Sequence, residues 1–186
     1  NPITIDIDGK SMKVGVEICE DLWDMDYKTK VSKELIDGGA DIIINISASP
    51  FHINRLEERL DIIRDKIDCL KCYFIYCNLI GAQDELVFDG QSCVVTPAGK
   101  LISLLPGFVE SIQMVDLENS MEVESSTFTE EEQIFEALSL GVKDYFQKTG
   151  HKKAVLGLSG GIDSALTATI ASNALGKENV LGIAMP

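Results

Sequence analysis

The sequence contains the glycine-rich run Gly157-Leu158-Ser159-Gly160-Gly161-Ile162-Asp163-Ser164 between two segments of regular pattern. Before the glycines, residues 154–158 form a short apolar run that predicts a strand. After them, residues 163–175 are predicted to be a helix, and a second apolar run at 180–184 predicts another strand. A strand, a loop, a helix and a strand make a βαβ unit. Its two strands are expected to be parallel, with the glycine loop at the carboxyl end of the first.

This loop has the properties of a phosphate-binding site. Gly160 and Gly161 allow the backbone to approach an anion, and the following helix begins with free N–H groups and a dipole that favour negative charge. It is not a Walker A loop, because no lysine precedes Ser164, and it is not the dinucleotide-binding G-x-G-x-x-G motif. The alternative is a tight strand-to-helix turn with Asp163 as the helix N-cap, which would leave both serines unexplained.

The string SGGIDS at 159–164 resembles the signature of the ATP pyrophosphatase family, and residues 156–186 are similar to the NAD⁺ synthetases within it. Members of that family cleave ATP between the α and β phosphates, adenylate a substrate oxygen, and let an amine displace AMP. The resemblance implies that residues 157–164 bind ATP, with backbone amides and the hydroxyls of Ser159 and Ser164 on the phosphates. It also implies that Asp163 helps to coordinate Mg²⁺ and that the adenylated group is the nicotinate carboxyl of deamido-NAD⁺.

The first part of the chain alternates short apolar runs with turn signals and helical periodicity, which is typical of an α/β layered fold. The predicted helices cover 27–38 and 55–72, and Pro97-Ala98-Gly99 predicts a hairpin turn with Gly99 at positive φ. The predicted strands are 13–18, 41–46, 73–76, 86–88, 93–95 and 101–104.

An acidic stretch at 118–129, short of large apolar residues, predicts a linker between two domains. The predicted domains are therefore 1–117 and 130–186. Thr129, followed by three glutamates, predicts the cap of a helix that runs to about residue 147.

Cys19 lies where the predicted strand 13–18 gives way to a turn, which is a suitable place for a nucleophile. A thiol attacks an amide carbonyl only as the thiolate, so it needs a base nearby and N–H donors for the oxyanion. Its spacing alone leaves a buried structural cysteine as the alternative.

Three segments resemble the nitrilase-type glutaminase domain of glutamine-dependent NAD⁺ synthetases, in this order: GVEICEDLW at 15–23, NISASPFHINR at 45–55 and YCNLIGAQDELVFDGQS at 76–92. In that family a Glu, Lys, Cys triad hydrolyses glutamine to ammonia through a glutamyl thioester, and its cysteine matches Cys19. The matching implies that Ser49 and Arg55 hold the α-amino and α-carboxylate end of glutamine. It implies that the backbone N–H of Glu20 helps to form the oxyanion hole.

The glutamate and lysine of that triad match no residue here, and the similarity to the synthetase domain stops at Pro186, so the resemblance implies a fragment of a longer enzyme. We therefore expect the isolated chain to release no measurable ammonia from glutamine, because the base that forms the thiolate is missing. Ammonia release that Cys19→Ser abolishes would contradict this expectation.

Other candidate sites are weaker. Cys69 and Cys72 form a C-x-x-C without a second pair, and packing at a helix end is the simpler interpretation. His52 is a possible papain-like partner of Cys19, but its loop context argues against that role. Asp84, Glu85 and Asp89 suggest either a charged site rim or a solvated loop.

The net charge of −14 disfavours nucleic-acid and membrane partners, and no apolar run approaches the roughly 20 residues that span a bilayer. Five cysteines without a disulfide-rich composition predict free thiols and a cytoplasmic protein.

The predicted fold is a partial nitrilase-like αββα sandwich followed by the first βαβ of a doubly wound parallel sheet, as in adenine nucleotide alpha hydrolases. The predicted parent is an ATP- and Mg²⁺-dependent ligase of NAD⁺ biosynthesis, expected to be a homo-oligomer. The alternatives are another ATP pyrophosphatase amidotransferase and a non-catalytic ATP-binding or subunit-interaction module.

Overall fold

The computed structural model describes residues 1–7, 9–125 and 128–185, and it divides into two compact units. Unit 1 comprises Asn1–Ile80 with Asp89–Thr127, and unit 2 comprises Gly81–Phe88 with Phe128–Pro186. The predicted linker includes residues 126 and 127, and the predicted synthetase part includes residue 186; these three lie outside the described residues.

Unit 1 contains a mixed sheet with helices in the connections between its parallel strands. In chain order its elements are β1 Ile3–Ile7, β2 Lys10–Ile18, a 3₁₀ segment Cys19–Asp26, α1 Val31–Asp37, β3 Ile42–Ser47, α2 Arg55–Leu70 and β4 Tyr73–Asn78. The chain then forms a hairpin of β5 Ile80–Gln83 and β6 Leu86–Asp89, of which Gly81–Phe88 belong to unit 2. The sheet of unit 1 is completed by β7 Cys93–Val95 and β8 Leu101–Leu104.

The sheet order is β1-β2-β3-β4-β7-β8, and β2, β3 and β4 run parallel. The register pairs Ile18 with Ile46 and Ile46 with Cys77, so these three strands end at the same level. The residues that follow them, including Cys19, therefore gather at one edge of the sheet. In open α/β sheets, ligand-binding sites lie at the carboxyl ends of the parallel strands.

Helix α2 joins the core through aliphatic side chains that recur every three or four residues. Leu56, Leu60, Ile63 and Ile67 are all buried, and they pack in one cluster with Phe74 of β4. Each such side chain contributes roughly 1.5–3 kcal/mol when fully buried. This periodicity is the reason that the sequence predicted α2 well.

On the face of the sheet away from the helices, β2 and β3 carry Ile18 and Ile46, which are 65% and 53% exposed. Unit 1 thus has one sheet and one helical layer of the four layers in the predicted αββα sandwich.

Two predicted helices are longer than the observed ones. The helix predicted over 27–38 begins only at Val31, because Lys30 has a non-helical backbone and its ammonium binds the carbonyl oxygens of Asp24 and Met25. The helix predicted over 55–72 ends at Leu70, because Lys71 has a φ of 52°. Strands β1 and β5 were not predicted. The strands at 93–95 and 101–104 are confirmed, and so is the turn, in which Gly99 has a φ of 76°.

Unit 2 contains α3 Glu130–Thr149, β9 Ala154–Leu158, α4 Ile162–Leu175, a short 3₁₀ turn Lys177–Asn179 and β10 Val180–Ala184. The βαβ prediction is confirmed, since β9 and β10 pair in parallel and α4 contacts both strands. The predicted cap of α3 is also confirmed: the Thr129 hydroxyl accepts a hydrogen bond from the Glu132 N–H at 3.2 Å, and the Glu132 carboxylate accepts one from the Thr129 N–H at 2.8 Å.

The β5–β6 hairpin residues of unit 2 pack against α3. The Ala82 N–H donates to Asp144 Oδ2 at 2.8 Å, and the Lys148 ammonium donates to the Ala82 carbonyl oxygen. No helix among the described residues is both long enough and apolar enough to cross a membrane.

Candidate active-site residues

Cys19 is the first residue after β2, and its backbone has a φ of 44°. This left-handed conformation is uncommon for a residue other than glycine and costs on the order of 1–3 kcal/mol. Hydrogen bonds on either side hold the turn: the Ile18 N–H donates to Asp21 Oδ2 at 2.8 Å, and Asn45 Nδ2 lies 3.5 Å from the Cys19 carbonyl oxygen. The strand therefore ends sharply at a half-buried thiol.

A buried carboxylate precedes this turn by two residues. Glu17 is 1% exposed, and it accepts hydrogen bonds from Ser32 Oγ at 2.6 Å and Asn45 Nδ2 at 3.1 Å. Burial raises the pKa of the Glu17 carboxyl, and the two hydrogen bonds and the Lys66 ammonium partly offset that effect. Sequence reasoning missed Glu17, whose only signal is a charged residue inside an otherwise apolar strand.

Lys66 of α2 ties the 3₁₀ segment to the helical layer. Its ammonium lies 2.9 Å from Asp24 Oδ1 and 3.2 Å from Ser32 Oγ, and both side chains of the ion pair are largely buried. The segment after Cys19 is thus anchored on its inner side by charge as well as by the fully buried Leu22.

Glu20 follows Cys19 and is exposed to solvent. Its carboxylate accepts a hydrogen bond from the Tyr27 hydroxyl at 2.9 Å, which raises the pKa of Tyr27. This hydrogen bond joins the start of the 3₁₀ segment to the residue that follows its end.

Ser49, in the loop after β3, and Arg55, the first residue of α2, come together in the structure. Arg55 Nε lies 3.4 Å from Ser49 Oγ, and the Arg55 guanidinium stacks over the Trp23 ring with Cζ 4.0 Å from the ring centroid. Glu58 Oε2 accepts a hydrogen bond from Arg55 Nη1 at 2.8 Å. Trp23 belongs to the 3₁₀ segment that begins at Cys19, so this stacking brings the guanidinium to the segment of the candidate nucleophile.

The interpretation of Asp89 as a rim or solvated residue is wrong. Asp89 is 1% exposed and forms two hydrogen bonds with the guanidinium of Arg59, at 2.8 and 2.9 Å. Arg59 itself is fully buried. Asp84 and Glu85, in contrast, form the exposed turn of the hairpin. No local pattern distinguishes these three acids, because the partner of Asp89 lies 30 residues away.

His52 is exposed, and its Nε2 lies 3.3 Å from Glu58 Oε2, so the carboxylate that binds Arg55 also binds this imidazole. Within the part of the chain that the structure describes, no group of three or more His, Cys, Asp or Glu side chains could hold a metal ion. Cys69 and Cys72 differ in burial, the first being exposed and the second buried.

The cysteines at other positions are less suited to nucleophilic attack where they are buried. Burial raises the pKa of the Cys72 thiol to about 11 and that of the Cys93 thiol to about 12. Both therefore stay protonated at neutral pH, and a protonated thiol is a poor nucleophile.

In unit 2 the glycine loop brings its two serines together. Gly160 has a φ of 83°, and Ser159 Oγ lies 3.3 Å from Ser164 Oγ across the glycine pair. Ser164 Oγ also donates to the Gly161 carbonyl oxygen at 2.9 Å. Both hydroxyls thus lie beside the start of α4, where the N–H groups of the first turn have no partner within the helix.

Asp163 is not the N-cap of α4. The N-cap is Gly161, no side chain caps the helix, and Asp163 is the second helical residue with an exposed side chain.

Two family models match the chain. The carbon–nitrogen hydrolase model matches residues 3–124, which is most of the chain, and the NAD synthase model matches residues 134–186. The chain belongs to the carbon–nitrogen hydrolase family. Its nitrilase-like region is followed by a βαβ segment that matches the start of the NAD synthase domain, as the sequence predicted.

Relatives of this chain include the glutamine-dependent NAD⁺ synthetases of Aquifex aeolicus, 36% identical with 100% of this chain covered, and of a Synechocystis species, 41% identical with 95% covered. The chain spans 38% and 34% of these two proteins. Among solved structures, a glutamine-dependent NAD⁺ synthetase from Acinetobacter baumannii in complex with ADP is 31% identical with a TM-score of 0.87; the match covers 100% of this chain and 35% of that one. The chain is thus homologous to such synthetases across both of its regions.

Proposed function

We propose that this chain is part of an enzyme that hydrolyses glutamine to ammonia and uses ATP to amidate deamido-NAD⁺. The observation that carries the proposal is the joint occurrence of Cys19 on a strained turn and the GLSGGIDS loop at a helix start, in a chain homologous to glutamine-dependent NAD⁺ synthetases along its length. We propose 1–117 as the glutaminase part, 118–129 as the linker and 130–186 as the start of the synthetase part, in an enzyme that is a homo-oligomer.

In the glutaminase reaction, the Cys19 thiolate attacks the carbonyl carbon of the glutamine side-chain amide. The backbone N–H of Glu20 donates to the oxyanion that forms, which lowers the barrier because the donor is already oriented. The C–N bond then breaks, the leaving nitrogen takes up the proton that the Cys19 thiol gave up and departs as ammonia, and water hydrolyses the resulting thioester to glutamate and the free thiol. Ser49 and the Arg55 guanidinium bind the α-amino and α-carboxylate groups of the substrate, since a planar guanidinium can hold a carboxylate with two hydrogen bonds.

In the synthetase reaction, residues 157–164 hold the phosphates of ATP. The hydroxyls of Ser159 and Ser164 and the free N–H groups at the start of α4 supply the donors, and the dipole of the 14-residue helix favours the anion. The exposed Asp163 carboxylate fits a Mg²⁺ ion, which commonly binds one or two protein carboxylates together with substrate phosphates. That ion would supply charge neutralisation for the departing pyrophosphate.

The proposal is tested in the whole protein that contains this chain. We expect NAD⁺ to form from ATP and deamido-NAD⁺ with either glutamine or ammonia, and we expect Cys19→Ala to abolish the glutamine-dependent reaction alone. The matched control is Cys69→Ala, which removes an exposed thiol from the end of α2 and should change neither rate. A protein that binds ATP without turnover from either nitrogen source would instead support the non-catalytic module.

Replacement of Arg55 by lysine in the whole protein should raise the KM for glutamine by about tenfold or more, because an ammonium cannot form a forked, two-bond contact with a carboxylate. It should leave ammonia-dependent synthesis unchanged. Initial rates with the two nitrogen sources measure both effects. Arg64→Lys is the control, since Arg64 is an exposed residue of the same helix whose ion pair with Asp61 is 3.8 Å long. Equal losses with both nitrogen sources would mean that Arg55 supports the structure.

A further inference from the structure

Hydrogen bonds to the protein hold both backbone groups of Ser49. Its N–H donates to Asn78 Oδ1 at 2.9 Å, and its carbonyl oxygen accepts from Arg59 Nη2 at 3.1 Å and lies 3.5 Å from Asn78 Nδ2. The peptide units around Ser49 are therefore fixed in orientation. Ser49 is 2% exposed and its hydroxyl lies 3.4 Å from Arg55 Nε, so these buried contacts set the position of that hydroxyl.

Asn78 connects the loop that contains Ser49 to β3, to β4 and to residues 90–92 of unit 1. It is the last residue of β4, and its register partner is Ser47 of β3. Its own N–H donates to Ser92 Oγ at 2.9 Å, and its side-chain amide donates to the Gly90 carbonyl oxygen at 3.1 Å. An amide side chain is suited to this position because it offers an acceptor to one backbone group and donors to others at the same time.

The ion pair of Arg59 and Asp89 lies behind Asn78. Asp89 Oδ1 accepts from Arg59 Nη2 at 2.8 Å and lies 3.3 Å from Asn78 Nδ2, and the side chains of the ion pair are 0% and 1% exposed. Hydrogen bonds to charged groups are stronger than those between neutral groups, so this pair orients the Asn78 amide as well as the Ser49 carbonyl. A buried hydrogen-bond network of this kind rigidifies the groups that it joins.

We propose that Asn78, oriented by the Arg59–Asp89 ion pair, is a positioning residue that sets the Ser49 hydroxyl for the amino acid end of glutamine. This inference rests on the proposed function, in which Ser49 contacts that end of the substrate. Asn78 acts through Ser49 and leaves the reactivity of Cys19 toward small molecules unaffected. A group that contacts substrate must be held to within about 0.5 Å of its productive position. Neighbouring residues that do not touch the substrate provide this restraint through hydrogen bonds and packing.

The experiment measures glutamine binding in the whole protein through protection of Cys19 from alkylation by iodoacetamide, followed by mass spectrometry of the Cys19 peptide. This reagent is small and has no amino acid end, so its rate in the absence of glutamine reports on the thiol alone. We expect Asn78→Ala to raise the Kd of glutamine about tenfold and to leave the unprotected rate within about twofold of wild type. Asn119→Ala is the matched control, because Asn119 is an exposed asparagine that hydrogen-bonds within its own turn to Asp116.

A double-mutant cycle with Ser49→Ala separates positioning from general loss of structure. If Asn78 acts by placing the Ser49 hydroxyl, Asn78→Ala should add little once that hydroxyl is gone, since residues that act as a unit are not additive. The same fold increase in both backgrounds, or no increase in the wild-type background, would overturn the inference.

If Asn78→Ala does not fold, Asn78→Leu is used in the same cycle, because it keeps the approximate shape of the side chain but loses the acceptor and the donors. It is expected to raise the Kd in the same non-additive way. If glutamine fails to protect Cys19 in the wild-type protein, the proposed function itself fails and the inference fails with it. Protection in the wild type with an unchanged Kd in both Asn78 variants overturns the inference alone.

Discussion

Asp163→Asn in the whole protein is expected to lower NAD⁺ synthesis by about 10² to 10³ from either glutamine or ammonia. An amide oxygen binds a hard divalent cation more weakly than a carboxylate oxygen, and the substitution removes a negative charge from a site that must balance charge on the departing pyrophosphate. The Cys19 thioester should still form, because that chemistry depends on other residues. Steady-state rates with both nitrogen sources, together with trapping of the thioester from labelled glutamine, measure these effects.

The position of Asp163 inside α4 allows Asp163→Asn to separate metal binding from helix capping. Since Gly161 and not Asp163 is the N-cap of α4, the helix loses only the favourable interaction of one first-turn carboxylate with its dipole, about 0.3–1 kcal/mol. The melting temperature should therefore change little. Glu131→Gln is the control, because Glu131 is an exposed acid in the first turn of α3. Near-normal ammonia-dependent synthesis in Asp163→Asn would remove the metal-binding role.

Asp89→Ala is expected to lower the free energy of unfolding by about 3–5 kcal/mol, because it leaves the Arg59 guanidinium buried without its counter-charge. Arg59 is 0% exposed and has no access to water in place of the lost carboxylate. Urea unfolding followed by circular dichroism measures the loss. Glu85→Ala is the matched control: Glu85 is an exposed acid in the turn of the same hairpin, and its removal should cost less than about 0.5 kcal/mol.

A double variant separates two possible causes of the stability that Asp89→Ala loses: the unpaired charge of Arg59 and the loss of the hydrogen-bond geometry. Replacement of both partners, Arg59→Met with Asp89→Leu, should recover much of the stability that Asp89→Ala loses, because a buried ion pair can be exchanged for apolar groups at little net cost. A double variant as unstable as the single one would mean that the geometry of the hydrogen bonds, and not the unpaired charge, carries the stability.

Local interactions account for the parts of the fold that could be predicted. The capping box of Thr129 and Glu132 joins residues three positions apart, and Gly99 closes a turn between Thr96 and Lys100. The βαβ unit was predictable for the same reason, since its apolar runs and glycine loop follow one another directly. The two boundaries that were wrong also have local causes: Lys30 binds carbonyl oxygens five and six residues before it, which delays the start of α1, and the positive φ of Lys71 ends α2.

The candidate site was predicted only in part. Residue identity and resemblance pointed to Cys19, Ser49, Arg55 and the glycine loop as candidates, and these roles stay predictions until the variants are measured. The residues that hold them had no signal of their own. Trp23, which stacks on Arg55, and Asn78, which binds Ser49, are ordinary core or loop residues when viewed in the sequence.

By itself, the sequence determined most of the strands and helices, the glycine loop at the start of α4 and the position of a cysteine at a strand end, because each depends on residues near one another in the chain. Only the tertiary structure decided which charged residues are buried and paired. Lys66 meets Asp24 across 42 residues and Arg59 meets Asp89 across 30. Such pairs form when parallel strands and their crossover helices bring distant segments together, and a charged residue looks the same in the sequence whether it faces water or a partner.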